Sequence, residues 1–347
     1  MGAFNTSTAH NCIRRQSLSR ILLVGLTLNL YACDKALPPS TSLEVAAVGI
    51  HSGAISDNAE LFTIGSINHG GSMWRTTSQE RIFNWNHKSG EYSTIVAADF
   101  SHNAAWAITA TPFDLVLWNT QSGEGERFWS APGEILDATL GPDARFALLG
   151  LSDHNAVIFD IRRGGILQTF THQNRVRSVD LSQDGTLALT GSEDYTANLW
   201  DTQSGKKLYA IKHDDDVQLV KLSPDGKLAL SVAKYDKALI WQTSDGQAIG
   251  EIPLGKEEQK RGMRFTTATF SADGNQLLTG RPDQTVDLWD VKTLSKISSW
   301  RLPKRDAWKP TSAAVIHISF SAEPGTFYAL ASNGFIHQLK LAESVPQ

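Results

Sequence analysis

Three groups of residues in this chain have the types and spacing that chemistry requires. His213 followed by Asp214, Asp215 and Asp216 sets an imidazole beside hard oxygen donors, as a divalent-cation site would need. His172 and Asp194 are the pair that orients a general base in a Ser–His–Asp relay. Ser204-Gly205-Lys206-Lys207 fits S-x-x-K, in which a lysine assists a nucleophilic serine. Each reading meets an objection. No further ligand joins the aspartates at octahedral spacing, and S-x-x-K works from a helix, whereas Gly205 marks a turn. G-x-S-x-G, G-x-G-x-x-G, a phosphate loop and H-E-x-x-H do not occur. The sequence therefore predicts no catalytic set, no metal and no cofactor.

The remaining reactive group is the thiol of Cys33. The chain of 347 residues has only two cysteines, at positions 12 and 33, which excludes a disulfide scaffold or a cysteine-rich zinc module. Residues 1–20 carry Arg14, Arg15 and Arg20 with no acidic residue, and an apolar run follows over 21–30. Ten residues rise about 15 Å as a helix, half of a bilayer core, so the pattern is a secretory leader and not a span. Leu30-Tyr31-Ala32-Cys33 resembles the lipobox of bacterial lipoproteins, with Ala32 as the small residue before cleavage. That resemblance implies a signal peptide at 1–32, acylation of Cys33 as the first mature residue, and attachment to the cell envelope. Asp34 resembles an inner-membrane retention signal. Residues 33–42, with Pro38 and Pro39, read as the anchor and a short tether, and 342–347 as a tail. The balance of 32 basic against 36 acidic residues excludes a strongly basic nucleic-acid binder.

The elements that position these residues follow from a repeat over 43–341. An aromatic followed by Asp, Asn or Gln recurs 41 residues apart at Trp118, Phe159, Trp200 and Trp241, with longer steps to Trp289 and to a degenerate Leu339. Trp85 is the first copy's candidate. Eighteen residues before the aromatic comes a turn such as Ser182-Gln183-Asp184-Gly185 or Ser223-Pro224-Asp225-Gly226; Ile67-Asn68-His69-Gly70 is the first copy's weaker form. Asp-Gly between alternating apolar runs is a hairpin signal, because Gly accepts φ > 0 freely. Each copy reads as four antiparallel strands, with no helical periodicity.

Trp200-Asp201 and Trp289-Asp290 resemble the WD-repeat β-propeller family. The resemblance implies an all-β, seven-bladed β-propeller of four-stranded antiparallel blades, its ring closed by an N-terminal strand, read at 43–49, in the last blade. It also implies buried structural networks: His172, Thr190, Asp194 and Trp200 in one blade; His213, Ser231 and Trp241 in the next; Asp153 and Asp283 as turn aspartates, with Trp289 in the latter's blade. In blades one, two and seven the network looks largely absent.

The two longest repeats carry their extra residues between blades, at 253–264 and 301–312. Lys256, Lys260, Arg261, Arg264, Lys304, Arg305, Lys309 and Trp308 make these segments basic and Trp-bearing, in a domain that is otherwise acidic. Trp and Arg dominate binding hot spots, so this corner is the expected protein-docking surface. The function expected is a non-catalytic, lipid-anchored envelope scaffold; a propeller hydrolase or lyase working at the channel mouth is the alternative.

Overall fold

The computed structural model describes residues 36–254, 265–306 and 313–342, and the compact unit is Lys35–Gln347. Every described strand belongs to one of seven four-stranded antiparallel sheets. Blade four shows the plan. Val176–Leu181 lines the axis, Leu187–Ser192 and Thr196–Asp201 follow, and Lys207–Lys212 forms the outer edge. The middle strands read as near-continuous buried runs because both their faces meet neighbouring blades. The innermost strands contact one another in a closed cycle, that of blade seven (Val315–Phe320) meeting that of blade one (Ile50–Ile55). Antiparallel alternation puts the first hairpin turns on one face, and the second hairpin turns and interblade connections on the other.

The ring closes with a strand from the start of the domain. Thr41–Glu44 pairs antiparallel with Phe335–Lys340, in register Thr41↔Gln338 to Glu44↔Phe335. The pairing strand thus lies two residues earlier than the expected 43–49, and Val45 and Ala46 turn away by donating to the Gly334 carbonyl at 2.8 and 3.1 Å. The described part of the expected tether is also docked: Leu37 bridges Trp300, its N–H donating to Ser299 O and its carbonyl accepting from Arg301.

The repeat register needs one correction. In each blade the marker residue pairs with the second strand at an equivalent place: Ala188↔Trp200, Ala107↔Trp118, Leu277↔Trp289, and in blade one Phe62↔Trp74. Trp74, not Trp85, is the first copy's aromatic, and Trp85 follows the outer strand Glu80–Asn84. Ile67-Asn68-His69-Gly70 is accordingly the second hairpin turn, and the first is Ser56-Asp57-Asn58-Ala59. It went unread because alanine stands where the clear copies have glycine. The left-handed position is Gly185, Gly226 or Gly274 in the clear copies and Ala59, Ala104 or Ala144 in the others, all with φ between 50° and 72°. The turn serine makes the same pair of bonds in glycine copies, as Ser182 does beside Gly185, and in the Ala59 and Ala104 copies. Ser101 Oγ accepts from Trp106 N–H at 3.0 Å and donates to Asn103 Oδ1 at 2.8 Å, pinning the hairpin without glycine.

Left-handed alanine is strained by about 1 kcal/mol relative to glycine. Ala104→Gly is therefore expected to raise thermal stability by about 0.5–1 kcal/mol. Gly185→Ala is expected to lower it, because its new Cβ would meet Pro142 Cδ at 2.7 Å; differential scanning calorimetry of both variants checks the pair.

Candidate functional site

The blade-four network forms as its residue types demand. Asp194 Oδ2 accepts from His172 Nδ1 at 2.9 Å, fixing the tautomer, so His172 Nε2 accepts from the Thr190 hydroxyl at 2.7 Å. That hydroxyl oxygen accepts from Trp200 Nε1 at 2.8 Å. Burial acts to raise the Asp194 carboxyl, but bonds from His172, Thr196 and the Gln173 amide outweigh it and hold it far below the usual carboxylate range. In blade five, His213 Nε2 meets Ser231 Oγ at 2.8 Å and His213 Nδ1 meets Asp236, a residue the repeat register hid by one position. Trp241 Nε1 has no acceptor there, consistent with a serine hydroxyl lacking the γ-methyl that fixes the threonine rotamer.

Blade two corrects the expectation of an absent network. Trp118 Nε1 donates to Thr109 Oγ1 at 2.8 Å, and that hydroxyl meets His87 Nε2 at 2.9 Å. The longer lead from His87 disguised it. Pro112 stands where blade four has Asp194, so His87 Nδ1 is left without a partner and burial pushes its pKa down to about 4. In blade six Trp289 Nε1 donates to Thr279 Oγ1 at 2.8 Å, while a buried pair, Arg281 with Asp287, links the same strands. Asp153 and Asp283 accept from the amides of Asn155 and Thr285, both at 3.2 Å, as turn residues. Asp214–216 sit at the entry to blade five, where the Asp214 amide donates to Asp236 Oδ2 at 3.0 Å.

The sequence reading missed the channel wall. The innermost strands project Asp99, Asp137, Asp180, Lys221 and His317 toward the axis, and cavities of about 150 and 240 Å³ open at its two ends. The carboxylates bond across blade junctions. Asp99 Oδ2 accepts from the Leu140 amide and the Thr139 hydroxyl, both at 2.8 Å, Asp137 Oδ2 from the Val179 amide at 2.9 Å, and Asp180 Oδ2 from the Leu222 amide at 2.7 Å. Lys221 Nζ donates to Asp180 Oδ1 at 3.1 Å; burial opposes its charge, but Asp180, Asp137 and Asp99 outweigh that and raise its pKa. Burial raises the Asp99 pKa to about 6 against these hydrogen bonds, and burial with nearby Lys221 pushes His317 down to about 3. At the first-hairpin end, His102 joins Asp57 at 2.5 Å and contacts Gln183, so turns of blades one, two and four meet over the mouth. A signal did exist: these residues stand two or four positions before the turn serine or its Gly141 equivalent.

The opposite face carries the second hairpin turns, and there large side chains stand in water: Tyr92 is 69 % exposed, Phe113 60 %, Tyr195 48 % and Tyr235 61 %. Phe113 and Tyr195 occupy one repeat position, five before the marker aromatic, and Tyr235 lies beside it. Of the expected docking residues, Lys256, Lys260, Arg261, Arg264, Trp308 and Lys309 lie outside the described residues, as does Cys33. Lys304 is exposed. Arg305 differs from expectation: its guanidinium donates to Glu44 Oε1 at 2.6 Å, Ala46 O at 2.8 Å and Asn333 O at 2.7 Å, and lies over the Phe335 ring. It fastens the closing strand.

Residues 164–201 match the family model described as WD domain, G-beta repeat. The matched segment runs from the outer strand of blade three through the third strand of blade four, one repeat offset from one blade. No curated protein matches the chain.

Two outcomes follow. Thr190→Val strands a buried indole N–H and an imidazole, and is expected to cost about 2–3 kcal/mol in chemical denaturation. Asp99 has a folded pKa above its unfolded one, so the folded state holds the extra proton between about pH 4 and 6, and its ionisation weakens the fold as pH rises through that window. Asp99→Asn keeps the acceptor without the charge. It is expected to gain about 1–2 kcal/mol at pH 7.5 and almost nothing at pH 4, read from urea midpoints at both values.

Proposed function

We propose that this chain, a WD-repeat seven-bladed β-propeller by its repeat match and its fold, is a lipid-anchored interaction scaffold of the bacterial envelope. The fold itself suggests a protein-interaction scaffold; the anchor and the docking face are the finer reading. One observation carries that face: Tyr92, Phe113, Tyr195 and Tyr235 stand exposed at turns and connections of a single face, around blades one to five. Exposed aromatics are costly to leave in water and dominate binding energy when covered. The same face emits the two enlarged connections, with Lys256, Lys260, Arg261, Arg264, Trp308 and Lys309 in sequence and Lys304 beside them. A protein partner is the reading these residues support, with no nucleic acid.

The channel carboxylates are committed to amides of neighbouring blades, so they support the scaffold reading more than a hydrolase or lyase. Anchorage rests on Leu30-Tyr31-Ala32-Cys33, and Asp34 favours the inner membrane, facing the periplasm.

Photocrosslinking amino acids at positions 195 and 235, compared with position 227 on the opposite face, test the docking face in cells. Defined adducts are expected only from the first two; equal labelling from position 227 overturns it. A palmitate analogue is expected to label the wild type and to leave Cys33→Ser unlabelled.

A further inference from the structure

Where the N-terminal segment meets blade six it builds one wall of a cleft. Ala36, Leu37 and Pro38 face Leu302 and Pro303 across a shallow space of about 520 Å³. Both walls are held rigidly. Leu37 exchanges backbone hydrogen bonds with Ser299 and Arg301 at 2.8 and 2.9 Å, and Gln284 beneath donates from Nε2 to the Leu302 carbonyl at 2.8 Å. Arg301 and Lys304 stand exposed at the rim. Neither forms an ion pair among the described residues, unlike Arg305 one position further on, which is engaged with Glu44. An apolar floor edged by two unpaired cations matches the chemistry of an anionic phospholipid at the level of its phosphate and upper acyl chain.

Chain length adds an independent constraint. Only Asp34 and Lys35 separate Cys33 from Ala36, so at most about 10 Å of backbone joins an acyl anchor on Cys33 to the cleft. That is about one Debye length at physiological salt, within which membrane charge is felt. We propose that this cleft is a membrane-contact site, seated on anionic phospholipid, that fixes the rim of blades six and seven against the bilayer. The proposal builds on the anchored reading above, but its test does not pass through acylation.

The chain beginning at residue 33 with Cys33→Ser contains the whole compact unit and carries no lipid. Its sedimentation with vesicles of 30 % phosphatidylglycerol in phosphatidylcholine is compared with pure phosphatidylcholine vesicles at 0.1 M salt. Binding is expected to the anionic vesicles only, and Arg301→Glu/Lys304→Glu is expected to weaken it at least ten-fold, since each cation near such a surface contributes roughly five-fold. The melting temperature should stay unchanged. A dye on Pro38→Cys, the sole thiol in that chain, is expected to be quenched by nitroxide-bearing lipids, whereas one on Arg163→Cys in blade three is not. Equal binding to both vesicle types overturns the proposal, as does undiminished binding of the double variant, or loss of binding through Lys260→Glu/Arg261→Glu alone. Failure of Cys33 to be acylated in cells would instead remove the anchor and leave the vesicle result standing.

Discussion

An unpaired sheet edge is the constraint on which this molecule turns. Blade seven supplies only three strands from its own end of the chain, and the fourth, Thr41–Glu44, comes from the beginning. Bringing together residues almost three hundred positions apart costs about 5 kcal/mol in loop-closure entropy. Four residues of strand pairing offset that weakly on their own, and the clasp is reinforced on both sides. Leu37 continues the N-terminal segment onto blade six, and Arg305 ties Glu44 and Ala46 to the connection entering blade seven. Inside it, Ser42 Oγ meets the buried His337 Nδ1 at 2.7 Å, so even the closing strand's polar side chain has a partner. The arginine that sequence composition marked for docking is thus one of the parts that keep the ring shut.

The inner wall solves a second problem of the same kind. Neighbouring innermost strands run side by side without a continuous ladder, so amides at the blade junctions need other acceptors. Asp99, Asp137, Ser178 and Asp180 supply them from one blade to the next, and Ser52, Ser319 and Thr266 donate across other junctions. Among the described residues the junction of blades five and six has no such bond; Leu219, Phe265 and Phe270 pack there instead. Burying these carboxylates beside the axis disfavours their charge, and Lys221 with the cross-blade amides offsets only part of that for Asp99 and Asp137. The raised Asp99 and Asp137 pKa values, caused first by burial, are the result.

Much of this was legible because glycine and tryptophan are hard to replace where a backbone or a hydrogen bond requires them. Blades two to five carry Trp or Phe markers 41 residues apart, blades four to six have Asp-Gly turns, and their strands fall where the repeat put them. Blade one was misread because Ala59 holds a left-handed turn that its own serine stabilises, and because Trp85 mimics Trp74. The His87 network was hidden by a long connection, and Asp236 by a turn one residue longer. The channel residues belong to no motif at all. An aspartate on an innermost strand looks like any polar residue in alternation until the ring brings several of them to one axis.

The two ends of the functional reading meet in the same geometry. The closing strand requires its preceding residues to run along the outer edge of blades six and seven, and this happens whether or not an anchor lies upstream. On the proposed reading the anchor is two residues from that edge, so the restraint that closes the ring also sets the disc's attitude to the membrane. Blades two to four then lie farthest from the bilayer; Phe113 and Tyr195 stand on blades two and four, and Tyr92 on the connection into blade two. A flexible tether would let the aromatic face fold onto lipid, where its apolar rings would be buried unproductively. On the proposed reading, the hydrogen bonds at Leu37 and Arg305 tie the chain from residue 36 onward to the rim of blades six and seven, which limits how far the disc can swing toward lipid.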